Sequence, residues 1–115
     1  MCRILSTGCD HRLMAVRSML LRHSGYSVEE AYSSEETLQR MQSEKIDLLL
    51  ICHTLTSADH KRLVSEVREK QRSVPVICLT AREGESYAGC INVANSPDAL
   101  LEAVRSAELR LHGTA

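Results

Sequence analysis

The side chains of this 115-residue chain best suited to chemistry are its five cysteines, at positions 2, 9, 52, 78 and 90. A thiolate is a nucleophile, a soft-metal ligand and one half of a reversible disulfide. Their number is odd, no two have CxxC spacing, and several lie in apolar runs. They therefore read as reduced, mostly buried thiols rather than a disulfide framework. Cys9 is closely followed by His11, and Cys52 by His53. Two thiolates and an imidazole suit Zn²⁺ or a thiol switch, provided the fold brings Cys9 and Cys52 together. The simpler reading makes both cysteines small apolar fillers, since free Cys is among the most buried residue types and no metal-knuckle spacing is present. Cys2, Cys78 and Cys90 lie in or beside strand runs and read as core. No nucleophile and base pair and no Gly-rich phosphate loop is visible, so no enzyme activity is expected.

Composition narrows the possibilities further. The formal net charge is −1, which gives no electrostatic reason to expect nucleic acid or an anionic membrane as partner. No run approaches the roughly 20 apolar residues of a membrane span, and Met1-Cys2-Arg3 does not open a signal peptide, so a cytoplasmic location is expected. Hydrophobic residues make up 43% of the chain, with no Trp or Phe and three Tyr, so the core must be aliphatic. The length suits one domain over residues 1–115, with no repeat, low-complexity tract or linker. Only His112 to Ala115 remain beyond Leu111, so no output domain is expected after the last helix.

The elements that would position these residues alternate along the chain. Cys2 to Thr7, with Ile4-Leu5 and then Gly8, reads as a short buried strand and a turn. From His11 to His23, Leu13, Val16, Leu20 and Leu21 recur at helical spacing, and Ser24-Gly25 follows as a stop. Tyr26 to Glu29 alternates like a strand, and Ser33 with Glu36 forms a capping box opening a helix to about Ser43. Asp47 to Cys52 is a continuous apolar run of the kind found in a parallel strand covered on both faces. Leu63, Val64 and Val67 mark a third helix after Ser57 to Asp59, and Val74 to Thr80 is a further buried strand. Ala81 to Ala88 is polar and broken by Gly84, so a full helix there is not expected. Cys90 to Val93 gives a fifth strand. Ser96-Pro97-Asp98 starts a last helix with a cap, a proline in the first turn and an acid that complements the helix dipole. Met14, Met19 and Met41 read as helix packing. Arg17, Arg22, Arg62, Arg68 and Lys70, interspersed with Glu66 and Glu69, read as solvated surface. Such alternation predicts a three-layer α/β/α sandwich around a five-stranded parallel sheet, with ligands expected at the carboxyl ends of the strands.

Over nearly its whole length this pattern resembles the receiver domains of two-component response regulators. Gly25 to Ala31 is similar to the family's "GYxVxxA", Glu35 to Leu38 to "EAL", Asp47 to Ile51 to "DLxLL", and Pro75 to Ala81 to "PVIxLTA". Ala99 to Val104 resembles the final helix. The resemblance implies a flavodoxin-like (βα)5 fold with strand order 2-1-3-4-5, here with the fourth helix short or missing. It also implies five working positions. An acidic pair after the first strand holds Mg²⁺, an Asp ending the third accepts a phosphoryl group, a Thr or Ser ends the fourth, and a Lys ends the fifth. Carboxylates suit a hard cation and an acyl phosphate, while the hydroxyl and the ammonium would bind the phosphoryl oxygens. In this chain the acidic-pair positions fall on Gly8 and Cys9, with only the neighbouring Asp10 acidic. The acceptor position falls on Cys52, Thr80 keeps the hydroxyl, and the lysine position falls on Val93 or Ser96. Asp10 lacks a partner acid, and Asp47 begins its strand instead of ending it, so neither replaces the acceptor. Tyr87 does not align with the aromatic residue that the family places in the fifth strand.

The resemblance therefore implies a degenerate receiver that needs no cofactor and binds no Mg²⁺. It would act without phosphorylation, by contacting protein partners or a second copy through its first and last helices or its last strand and last helix. The alternative is a redox, small-ligand or soft-metal sensor in the strand-end crevice around Cys9 and Cys52.

Overall fold

A computed structural model of the protein describes residues 2–70, 73–80, 86–94 and 96–113, without the side chains of 111–113. The elements in chain order are β1 (Arg3–Thr7), α1 (His11–His23), β2 (Ser27–Ala31), α2 (Ser34–Ser43), β3 (Leu48–Ile51), α3 (Ser57–Lys70), β4 (Val76–Thr80), β5 (Ile91–Ala94) and α4 (Pro97–Gly113). All neighbouring strands pair in parallel, in the order β2-β1-β3-β4-β5. The expected fold class is thus observed. The helix doubted between β4 and β5 falls partly on 81–85, outside the described residues, while 86–90 form turns and no helix.

β3 shows why its run is continuously apolar. Leu48, Leu50 and Cys52 enter one buried cluster with Ile4, Met14, Leu21, Ile77, Leu79, Leu100 and Val104. Leu49 and Ile51 enter the opposite cluster with Leu5, Met41, Leu63, Val67, Val76 and Cys78. Alternate side chains leave a strand on opposite faces, so a strand covered on both faces needs apolar residues at every position.

Helix ends follow the expected chemistry. Asp10 caps α1, its Oδ1 accepting from the backbone N–H groups of Arg12 (3.0 Å) and Leu13 (3.1 Å). Ser33 caps α2 by accepting from the Glu36 N–H at 3.1 Å. Glu36 reaches back one residue further than the capping box requires, accepting from the Tyr32 N–H at 2.7 Å. Gly25, with φ +98°, ends the turn after α1 in the left-handed region that favours glycine.

The inward face of α1 differs from expectation. Its buried residues are Met14, Arg17, Ser18 and Leu21, spaced i, i+3, i+4, i+7. Val16 is 64% exposed and Met19 71% exposed, so neither packs in the core. The stripe of Leu13, Val16 and Leu20 instead lines a cavity of about 240 Å³ beside Pro97 and Leu100 of α4. Two polar residues can occupy the inner face because a partner for each waits below it.

Candidate functional site

The strand order reverses between β1 and β3, which opens a crevice at their carboxyl ends. Cys52 follows β3 at that point. Its N–H donates to the Thr7 carbonyl (2.8 Å). Its carbonyl oxygen lies 3.1 Å from His60 Nε2, which fixes His60 in the tautomer protonated at that nitrogen. The Cys52 thiol is fully buried and lies 3.8 Å from the Ser6 hydroxyl. Burial pushes this thiol up in pKa, and the opposing pull of the Arg17 charge and of hydrogen bonds with Ser6 and Arg17 does not overcome it. Cys52 is therefore a neutral thiol at physiological pH.

The floor of the crevice is filled. A Cβ added to Gly8 would stand 2.8 Å from Thr54 Oγ1, 2.9 Å from Cys52 Cβ and 3.2 Å from Met14 Sδ. Cys9 is exposed, and its N–H donates to Thr54 Oγ1 (3.0 Å). Asp10 is committed to its cap. At the mouth, the His11 and Tyr32 rings stack with centroids 4.0 Å apart.

Arg17, read from the sequence as solvated surface, is only 8% exposed. Its Nη2 lies 3.2 Å from His53 Nδ1, and its charge acts on the Cys52 thiol. Beside it, Glu30 accepts from the Ser18 hydroxyl (2.5 Å) and from the Tyr32 hydroxyl. Burial raises the Glu30 carboxyl, but these hydrogen bonds and the charges of Arg22 and His11 outweigh it and hold the group below its ordinary value. Arg22 and Arg68 are engaged as well: Arg22 Nη2 donates to the Val28 carbonyl (2.7 Å), and Arg68 Nε to that of Gly89 (2.8 Å). The helical spacing of Arg17 with Met14 and Leu21 was the one available sign that it faces inward.

The remaining expected positions lie along β4, β5 and the start of α4. The Thr80 hydroxyl donates to the Val93 carbonyl at 3.3 Å. Val93 packs half-buried against the cluster that contains Cys52. Ser96 caps α4, its Oγ accepting from the Ala99 N–H at 3.2 Å. Asp47 is at the opposite end of β3 and accepts from the Arg3 N–H (2.9 Å). Tyr87 stacks on His60, centroids 4.4 Å apart, on the α3 side of the sheet. Among the described residues no group of three or more His, Cys, Asp or Glu side chains could hold a metal ion. No described helix is long and apolar enough to cross a membrane.

Residues 10–112 match the family of the response regulator receiver domain. The chain belongs to that family. Its receiver fold is shared with TrrA of Thermotoga maritima, a response regulator solved in complex with Mg(2+)-BeF, at a TM-score of 0.82 and 25% identity over 93% of this chain and 99% of that one. The receiver is 28% identical over 83 residues to PhoP of Bacillus subtilis, the alkaline phosphatase synthesis transcriptional regulatory protein, covering 72% of this chain and 35% of PhoP. It is 35% identical over 72 residues to the Escherichia coli transcriptional regulatory protein GlrR, covering 63% of this chain and 16% of GlrR. The chain thus spans about a third or less of these regulators, and it shares with them the receiver module of two-component signalling.

Proposed function

We propose that this receiver transmits by protein contact alone, without accepting a phosphoryl group and without Mg²⁺. The observation that carries this reading is the state of the residue after β3. Cys52 is a sealed, neutral thiol beside a buried guanidinium, and the space next to it is closed to any side chain at Gly8 by Thr54 and Cys52 itself. A hard divalent cation needs several oxygen ligands, whereas Gly8, Cys9 and Cys52 offer no carboxylate and Asp10 is spent on α1. Arg17 places a fixed positive charge in the region where a receiver's cation would sit. Thr80 points its donor at Val93, and neither Val93 nor Ser96 supplies an ammonium group. No enzyme chemistry follows from this set of groups.

The transmitting surface in this reading is the face of α1 beside the start of α4, where Leu13, Val16 and Leu20 line a groove with Pro97 and Leu100 and Val16 and Met19 stand exposed. A two-component signalling protein or a second copy of the chain would dock there; TrrA has been crystallised with the histidine kinase ThkA. A thiol or soft-metal sensor at Cys9 and Cys52 has less support, because one thiol is exposed, the other is sealed, and both are free. The test is to add beryllofluoride with Mg²⁺ while following backbone amide shifts. Unchanged Cys52 and Thr80 amides are expected, and saturable shifts there would sink the proposal.

A further inference from the structure

Two further thiols lie together on the other half of the sheet. Cys78 is buried in β4, and Cys90, immediately before β5, packs half-buried against the same cluster. β4 and β5 pair with Ile77 opposite Ile91, so Cys78 and Cys90 lie on one face of adjacent strands, and the Cys90 thiol donates to the Tyr87 carbonyl oxygen (3.4 Å). The turn that presents Cys90 is fixed. Gly89 has φ +82°, and a Cβ there would stand 3.1 Å from Val64. Arg68 donates through Nε to the Gly89 carbonyl (2.8 Å) and through Nη1 to the Val74 carbonyl (3.0 Å). Cys90 also lines a cavity of about 720 Å³ between the end of α3, the start of β4 and the end of α4, whose walls include Val74, Pro75, Gly89 and two arginines, Arg68 and Arg110. The volume falls within the range of small-molecule sites.

A partly accessible thiol, a second thiol on the same face of the neighbouring strand and two guanidinium groups around one cavity make a specific combination. The interaction with the neighbouring Cys78 thiol, opposed by burial and helped by the Arg68 charge, lowers the Cys90 thiol below its ordinary value, while Cys78 itself moves up. Reactive cysteines occupy electropositive, partly exposed surroundings of this kind. Guanidinium groups pair with carboxylates by charge-assisted hydrogen bonds. We propose that Cys90 is a thiol–disulfide exchange site for small disulfides bearing carboxylates, which the cavity receives through Arg68 and Arg110. The Cys90 thiolate attacks one sulfur of the incoming disulfide. That S–S bond breaks, a Cys90–S bond forms, and the other half departs as a thiolate. The departing thiolate takes up one proton from solvent, matching the proton Cys90 released on ionising. Cys90 is oxidised and the departing half is reduced. Cys78 touches neither half of the reagent and acts as a positioning residue.

The experiment uses glutathione disulfide as the charged probe and hydroxyethyl disulfide as the neutral one, with adducts on Cys90 and Cys9 followed in time by peptide mass spectrometry. Cys9 is exposed and serves as the internal reference. The charged probe is expected to modify Cys90 severalfold faster than Cys9, and the neutral probe to lose most of that preference. Arg110→Gln should slow the charged probe at Cys90 severalfold and leave the neutral probe unchanged. Cys78→Ala should slow both probes at Cys90 without changing Cys9. Faster reaction at Cys9 with the charged probe, an Arg110→Gln variant that behaves as wild type, or a Cys78–Cys90 bridge with no adduct would each overturn the proposal.

Discussion

At the scale of single residues, the strand-end crevice is governed by what surrounds Cys52. Arg17 and Ser18 sit on the inner face of α1, and Ser18 donates to Glu30 at 2.5 Å. The folded pKa of Glu30 lies below its unfolded value. Its contribution is therefore fully present above the unfolded carboxylate value, about 4.3, and is lost as pH falls through the lower folded value. Ser18→Ala should cost about 1–2 kcal/mol at neutral pH, and the gap from wild type should narrow as acid protonates Glu30. Urea unfolding at pH 7 and in mild acid checks this, and a pH-independent gap would show that Ser18 acts through packing instead. Gly8→Asp should destabilise by about 1–3 kcal/mol, since its Cβ meets Thr54 and Cys52 below 3 Å, and the urea midpoint reads this directly. The positions of Gly8, Cys52 and Thr80 could be read from the sequence, because strand ends are marked by where apolar runs stop. Arg17 was legible only through its spacing with Met14 and Leu21, because an arginine among helical leucines otherwise has the same pattern whether it faces solvent or a buried partner.

At the scale of elements, α1 carries two apolar stripes where one suffices for a core. Met14 and Leu21 belong to the stripe that packs, and Leu13, Val16 and Leu20 to the stripe beside α4. Leucines and valines at helical spacing predict a buried face, but neighbouring stripes one residue apart differ by only about 100° around a helix. Periodicity therefore found the helix and the buried Leu21 and Met14, but grouped with them Val16 and Met19, which are exposed. Leu21→Ala should cost about 2–5 kcal/mol, because a fully buried leucine leaves a cavity. Val16→Ser should stay within about 0.5 kcal/mol of wild type, as exposed substitutions usually do. Chemical denaturation of the two variants separates them, and a large loss for Val16→Ser would mean that the outer stripe also supports the fold. β3 offered no such ambiguity: a run too short for a helix and apolar at every position leaves the doubly covered strand as its reading.

At the scale of the whole molecule, the proposed reading of the crevice predicts a receiver fold whose stability does not respond to Mg²⁺, while its surface remains. A ligand that binds only the folded state raises stability with its concentration. Thermal unfolding with and without millimolar Mg²⁺ should accordingly give the same midpoint, and a rise that saturates with Mg²⁺ would reveal a cation site that Gly8, Cys9 and Cys52 do not predict. The surface offers the opposite expectation. Val16 and Met19 of α1 stand more than half exposed beside the apolar groove that Leu13 and Leu20 line with α4, and on the proposed reading they form its docking surface. Burying them against a partner or a second copy recovers roughly 25 cal/mol for each Å² of apolar area removed from water. Charges placed there should abolish association without touching the core. Sedimentation across a range of concentrations should show wild type associating and a Val16→Glu, Met19→Glu variant remaining monomeric at an unchanged urea midpoint. A wild type that stays monomeric throughout would remove the second copy as occupant of this face and leave a different protein as the partner to seek.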